Sequence, residues 1–156
     1  MKLTGITVAA GCLALGLAAP PLAMEASKDA ETGVTVQTGP DRKVIWMKSR
    51  AKNWDTEHRT WVQRGGYTGF RIPDDKFTLH FGPEHTFRIN TLPYREIRGN
   101  PYYVYQGYSM RVVDPWPESW PEGWYDTDDV YVKWDDGYYL YNRKYPEIGL
   151  ALEFSE

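Results

Sequence analysis

From Tyr94 to Glu156 the chain carries 16 Trp, Tyr and Phe side chains in 63 residues, and most stand in runs that alternate with period two. That density restricts the fold, because successive side chains of a strand point to opposite faces of its sheet. The adjacent rings of Tyr102-Tyr103 and Tyr138-Tyr139 must therefore serve both faces, and a single interior layer cannot hold all of them. The runs Tyr102–Tyr105, Tyr108–Val113, Val130–Trp134, Tyr138–Asn142 and Ile148–Phe154 read as strands, with Phe87-Arg88-Ile89 extended before them. Ile148, Leu150, Leu152 and Phe154 form the clearest apolar stripe, opposite Gly149, Ala151 and Glu153; a slip of one residue would turn it to water. Gly99-Asn100, Gln106-Gly107 and Asp135-Asp136-Gly137 fall between strands at hairpin spacing.

Ahead of these runs the period is nearer 3.6. Trp54, His58 and Trp61 fall at i, i+4 and i+7, which predicts a helix over Lys43–Arg64 stopped by Gly65-Gly66. A shorter helix is expected from Pro73-Asp74 to Gly82-Pro83, with Phe77 and Phe81 on one face. Met24 to Asp41 is polar and reads as a tether with one weak strand at Val34–Gln37. The expected class is α+β: an N-terminal helix or two packed on a C-terminal antiparallel β-meander, forming one domain over 43–156 after a tether at 24–42.

Residues 1–23 differ in kind. Met1-Lys2 is a basic start, Leu3–Leu17 is apolar or small, and Pro20-Pro21-Leu22-Ala23 ends the run, the layout of a secretory signal peptide cleaved near Ala23. The apolar run is shorter than the ~20 residues a membrane-spanning helix needs, so no membrane span is expected after cleavage. Ala9-Ala10-Gly11-Cys12 loosely matches a lipobox, but the apolar residues after Cys12 favour an ordinary place in the leader core over a lipid anchor. The expected location is periplasmic or secreted. One cysteine excludes an internal disulfide framework, and a net charge of −3 lacks the basic excess of a general nucleic-acid binder.

No nucleophile elbow, phosphate loop or dinucleotide fingerprint occurs, and no cofactor is implied. Glu118 with Glu122, or the carboxylates of Asp126–Asp129, are the residues a small glycan-acting enzyme would use as acid and base. His80 and His85 are weak candidates for a metal, since Gly82-Pro83 lies between them; Asp126, Asp128 and Asp129 offer oxygen ligands without the rest of a calcium loop. The plain alternative for all of these is a set of solvated turn residues. Trp116, Trp120 and Trp124 recur every four residues through a segment that Pro117 and Pro121 keep from being a regular helix, so the loop either displays its rings or folds them onto the sheet. Together with Tyr103, Tyr105, Tyr139 and Tyr141, expected opposite their strands' apolar neighbours, they are the candidate ligand-binding residues. Their counterpart would be a cell-envelope polysaccharide or an envelope protein, because Tyr and Trp anchor such interfaces.

The segments Asp114-Pro115-Trp116-Pro117, Trp124–Val132 and Asp136–Pro146 resemble the ending of a family of small, functionally uncharacterised exported bacterial proteins of the acidobacterial type. Arg59–Tyr67, Phe70–Pro73 and Phe81-Gly82 are similar to that family's middle segment. This resemblance implies an exported protein and no defined activity. The strand, acidic turn, strand ending is more distantly similar to RcnB-type periplasmic nickel and cobalt homeostasis proteins, with no ligand residue carried over. The expected function is a non-enzymatic envelope binding or interaction module; the alternatives are a periplasmic metal-homeostasis accessory protein and a small glycan-acting enzyme.

Overall fold

The structure is a computed structural model that describes residues 35–37 and 42–156. The leader expected at 1–23, Cys12 within it, and most of the expected tether lie outside the described residues. Among the described residues seven strands form one antiparallel sheet: β1 (Thr35–Gln37), β2 (Tyr94–Ile97), β3 (Asn100–Tyr105), β4 (Tyr108–Val112), β5 (Val130–Trp134), β6 (Tyr138–Asn142) and β7 (Tyr145–Ser155). Their spatial order is β1-β2-β3-β4-β7-β6-β5. The single meander expected from the sequence is instead two meanders, β2–β4 and β5–β7, joined where β4 pairs with the long β7. Between them the Trp- and Pro-rich segment carries the chain from β4 to the far edge.

The hairpins have the turn chemistry their residues allow. Gln106 and Gly107 both have positive φ (51° and 85°), as a two-residue turn that matches strand twist requires. The β2–β3 turn falls on Arg98-Gly99, with φ of 52° and 76°, one residue before the expected position.

The predicted helix over Lys43–Arg64 does not form. In its place are α1 (Arg42–Lys48), α2 (Trp54–Glu57) and a run of turns. Tertiary pairing explains the break. Ala51 donates its amide to the Trp116 carbonyl at 2.8 Å and Trp116 donates to the Ser49 carbonyl at 2.7 Å, so residues 49–51 are drawn out as an extended link. Asn53 then caps α2 by accepting from the Thr56 amide at 3.3 Å. The shorter helix expected after Pro73 is present as α3 (Asp74–His80).

The main core lies on the sheet face that carries Val130, Val132, Tyr138, Leu140, Leu150, Leu152, Phe154, Met110 and Tyr103. It is covered by Trp46 of α1, by Ile72 just ahead of α3, by Phe81, Phe87, Ile89 and Leu92 between α3 and β2, and by Trp116, Trp120, Trp124 and Tyr125. Trp124 and Tyr125 open α4 (Trp124–Thr127). The opposite face has its own smaller cluster, in which Trp61 packs on Tyr139 and Ala151. There the strap from His58 to Tyr67 lies across the sheet. The Trp61 amide donates to the Tyr139 hydroxyl at 2.8 Å and its indole to the Tyr138 carbonyl at 3.0 Å. Gly137 makes room for the indole: a Cβ there would stand 2.1 Å from Trp61 Cδ1. Among the described residues no helix is long and apolar enough to cross a membrane.

Candidate functional site

The residues singled out in the sequence are placed as follows. Trp116, Trp120 and Trp124 are 2, 1 and 0 % exposed, so the loop folds its rings inward. Trp116 donates its indole N–H to the Trp46 carbonyl at 2.7 Å, and Trp120 meets Trp124 edge-on at 4.7 Å. Tyr103 and Tyr105 share the main core face, Tyr103 opposite Met110 and Tyr105 opposite Tyr108, which reverses the expectation that they lie away from their apolar neighbours. The reason is register: β3 sets Tyr103 opposite Met110, which β4 sets opposite Phe154, so Tyr103 and Tyr105 fall on the core face while Tyr102 and Val104 fall on the other. Tyr139 and Tyr141 do lie opposite Tyr138 and Leu140, on the second face. Tyr139 is buried beneath the strap, while Tyr141 is half-buried and stacks on Tyr131 at 5.6 Å with the Lys133 ammonium 5.3 Å from its ring. Burial raises the pKa of both hydroxyls above the usual phenol range.

The other candidates have structural partners. Glu118 accepts from the Trp54 amide at 3.0 Å, and its carbonyl accepts from Arg50 at 2.7 Å. Glu122 is exposed. Asp126 accepts from Asn90, and Asp129 pairs with Arg88 at 3.2 Å. Asp128 is buried and accepts from Asn142 at 2.8 Å, from Thr127 at 3.0 Å and from Lys144. Burial pushes its carboxyl up, but these donors outweigh it and hold it below the usual carboxylate range. His80 closes α3 and His85 follows Gly82, both partly exposed. Among the described residues no group of three or more His, Cys, Asp or Glu stands together as a metal would need.

Two features escaped the sequence reading. One is a polar latch. Asp114, buried at the start of the Trp-rich segment, accepts from His58 Nδ1 at 2.8 Å, from the Ala151 amide at 2.8 Å and from the Arg64 guanidinium. A carboxylate only accepts, so the proton sits on Nδ1 of His58, whose ring lies flat on Trp54 at 4.2 Å. The latch ties the strap to the sheet.

The other is an open groove of about 270 Å³ lined by Arg71, Asp74, Phe77, Thr78, Trp134 and Tyr138. Cross-strand pairing sets Trp134 directly opposite Tyr138 at the end of the β5–β6 hairpin, and the rings meet at 4.8 Å. The Tyr138 hydroxyl accepts the Ile72 amide at 2.9 Å, which holds residues 71–72 beside the hairpin. Arg71 then lies over the Trp134 ring, its guanidinium carbon 3.5 Å from the centroid, and donates to Asp74 at 3.0 Å. Phe77 reaches the same place from α3. The sequence did hold a signal for part of this: rings bracketing the Asp135-Asp136-Gly137 turn must be cross-strand neighbours. Nothing in it located Arg71 above them. A second cavity of about 210 Å³ lies between α1 and the β3–β4 ends, lined by Trp46, Tyr103, Arg111 and Asp114 among others. There Arg111 is committed to Glu153 and Asp114 to the latch. Compared with protein-family models, curated proteins and solved structures, the chain matches none.

Proposed function

We propose that this chain is an exported, non-enzymatic binding module of the bacterial cell envelope, and that the Arg71–Trp134 groove is where it holds an envelope polymer. The observation that carries this is the groove's composition: three aromatic side chains line it, and an Arg–Asp pair sits at its rim in contact with water. Concave sites with apolar aromatic walls and a few convergent polar groups are the usual form of a ligand site. Export rests on the Met1–Ala23 leader and on the family resemblance. The binding role moves from the buried Trp116–Trp124 loop to the one tryptophan of the C-terminal half that is not buried, Trp134.

Co-sedimentation of the full chain with purified cell-wall sacculi and with extracted envelope polysaccharide tests this. The protein should pellet with one of them, release no new reducing ends, and lose about tenfold or more in affinity as Trp134→Ala, with its circular dichroism unchanged. No pelleting with either polymer, or full pelleting by the variant, sinks the proposal. Release of reducing ends would make the chain an enzyme.

A further inference from the structure

We infer that the groove takes one uncharged pyranose ring of a glycan, its C–H face against the aromatic lining and its hydroxyls on Arg71 and Asp74. This rests on the reading of the groove as the binding site and names what fills it. Charge selects against an anion. Arg71 is matched by Asp74 at 3.0 Å, and both line the groove, so an acidic ligand would meet a carboxylate beside the guanidinium. A purely apolar ligand is no better suited, because it would strip water from the Arg–Asp pair and return no hydrogen bond.

What the rim offers is a donor and an acceptor side by side. The guanidinium is oriented by its stack on Trp134, leaving N–H groups beyond the one given to Asp74. Asp74 keeps acceptor capacity, and so does the Thr78 hydroxyl, which donates to the Asp74 carbonyl at 2.9 Å. Their side chains are 48 % (Arg71) and 87 % (Asp74) exposed, and water screens an ion pair so exposed, so incoming hydroxyls can share it at little cost. A sugar hydroxyl both donates and accepts, and a pyranose also has an apolar face. A volume of about 270 Å³ suits one ring, just under the ~300 Å³ at which pockets for larger ligands begin.

Peptides fit less well. A proline-rich helix presents carbonyl acceptors and few donors, which leaves Asp74 unmatched. An added strand would need the β5 edge, where Val130 already exchanges hydrogen bonds with Phe87 at 2.8 and 2.9 Å and Val132 accepts from Gly82 at 3.0 Å.

Calorimetry on the full chain decides it, with four classes of probe: cello-, malto- and chito-oligosaccharides as neutral glycans, oligogalacturonate as the acidic glycan, hexaproline as the peptide, and envelope polysaccharide as the polymer. One neutral oligosaccharide should bind, and Asp74→Asn and Arg71→Lys should each weaken it about tenfold, while Met47→Ala on distant α1 leaves it unchanged. Tighter binding of oligogalacturonate, binding of hexaproline alone, or unchanged affinity in Asp74→Asn overturns the pyranose assignment. If the polymer binds in a Trp134-dependent way while every oligosaccharide fails, the assignment falls and the binding module stands. If nothing binds, both fall.

Discussion

Two stretches of the C-terminal half carry tryptophan, and they treat it in opposite ways. Trp116 and Trp120 sit on an irregular, proline-broken segment, Trp124 on the single helical turn that follows it, and all three are wholly interior; Trp134 sits at the end of a regular strand and stays partly in contact with water. An irregular segment has no ladder to set the direction of its side chains, so its rings turn to wherever apolar surface can be removed from water. A strand residue goes where register sends it, and register at Trp134 is set by the pairing with Tyr138. Display in this molecule therefore comes from the sheet, and the loop that looks made for display is packing. The same segment is fastened at both ends by a buried carboxylate, Asp114 entering it and Asp128 leaving it.

If that contrast is right, removing one ring from each stretch should give unequal losses. Trp124 is fully buried among Trp46, Trp120 and Tyr125. Trp124→Ala should cost about 4 kcal/mol, the range for a large aromatic deleted from a core. Trp134→Ala should cost about half as much, since part of that ring already faces water, and under the proposed reading it also weakens polymer binding about tenfold. Urea unfolding followed by circular dichroism measures both. Equal losses would break the comparison.

Much of the sheet was legible in the sequence, because a two-residue period and turn chemistry are local signals. Val130–Trp134 and Tyr138–Asn142 fall where alternation places them, and Asp135-Asp136-Gly137 forms the turn between them. The long helix failed because its Trp54, His58, Trp61 pattern is satisfied differently. Trp54 stacks on His58, whose ring nitrogen goes to Asp114, and Trp61 is drawn to the second sheet face over Gly137. Those partners are 56 and 76 residues away in sequence, beyond the reach of periodicity. The groove was half legible for the same reason: the Trp134–Tyr138 pair is local, whereas Arg71 arrives through the Ile72 bond to Tyr138.

The latch at the start of the segment sharpens the contrast. Asp114→Ala would leave the Arg64 guanidinium, the His58 ring and the Ala151 amide without their acceptor. About 3 kcal/mol should be lost, as for one partner removed from a buried ion pair. Because the strap carries Trp61 and Tyr67, and Tyr67 meets Trp134 at 5.7 Å, some loosening should reach the groove. Hydrogen exchange should show the amides of Trp61 and Ala151 exposed first. If the β2–β3 hairpin opens as readily, the latch is not what ties strap to sheet.

The smallest effect is expected at the other end, and pH reveals it. Asp128 has its carboxyl held below the ordinary value by Asn142, Lys144 and Thr127 against the cost of burial. A depressed folded pKa means that the stabilisation is present above the unfolded value of about 3.9 and is lost as pH falls through the folded one. Wild type should therefore exceed Asp128→Asn by about 1–2 kcal/mol at pH 7, and the gap should close below about pH 4. Lys144, raised by the same partner, gives the opposite sign: its share is full below the ordinary lysine value and fades only at strongly alkaline pH. Thermal melts of both proteins across the acid range read the difference directly. A gap that is constant with pH would mean that Asp128 acts through shape and hydrogen-bond count alone, and that the end of the Trp-rich segment is held by its rings and not by charge.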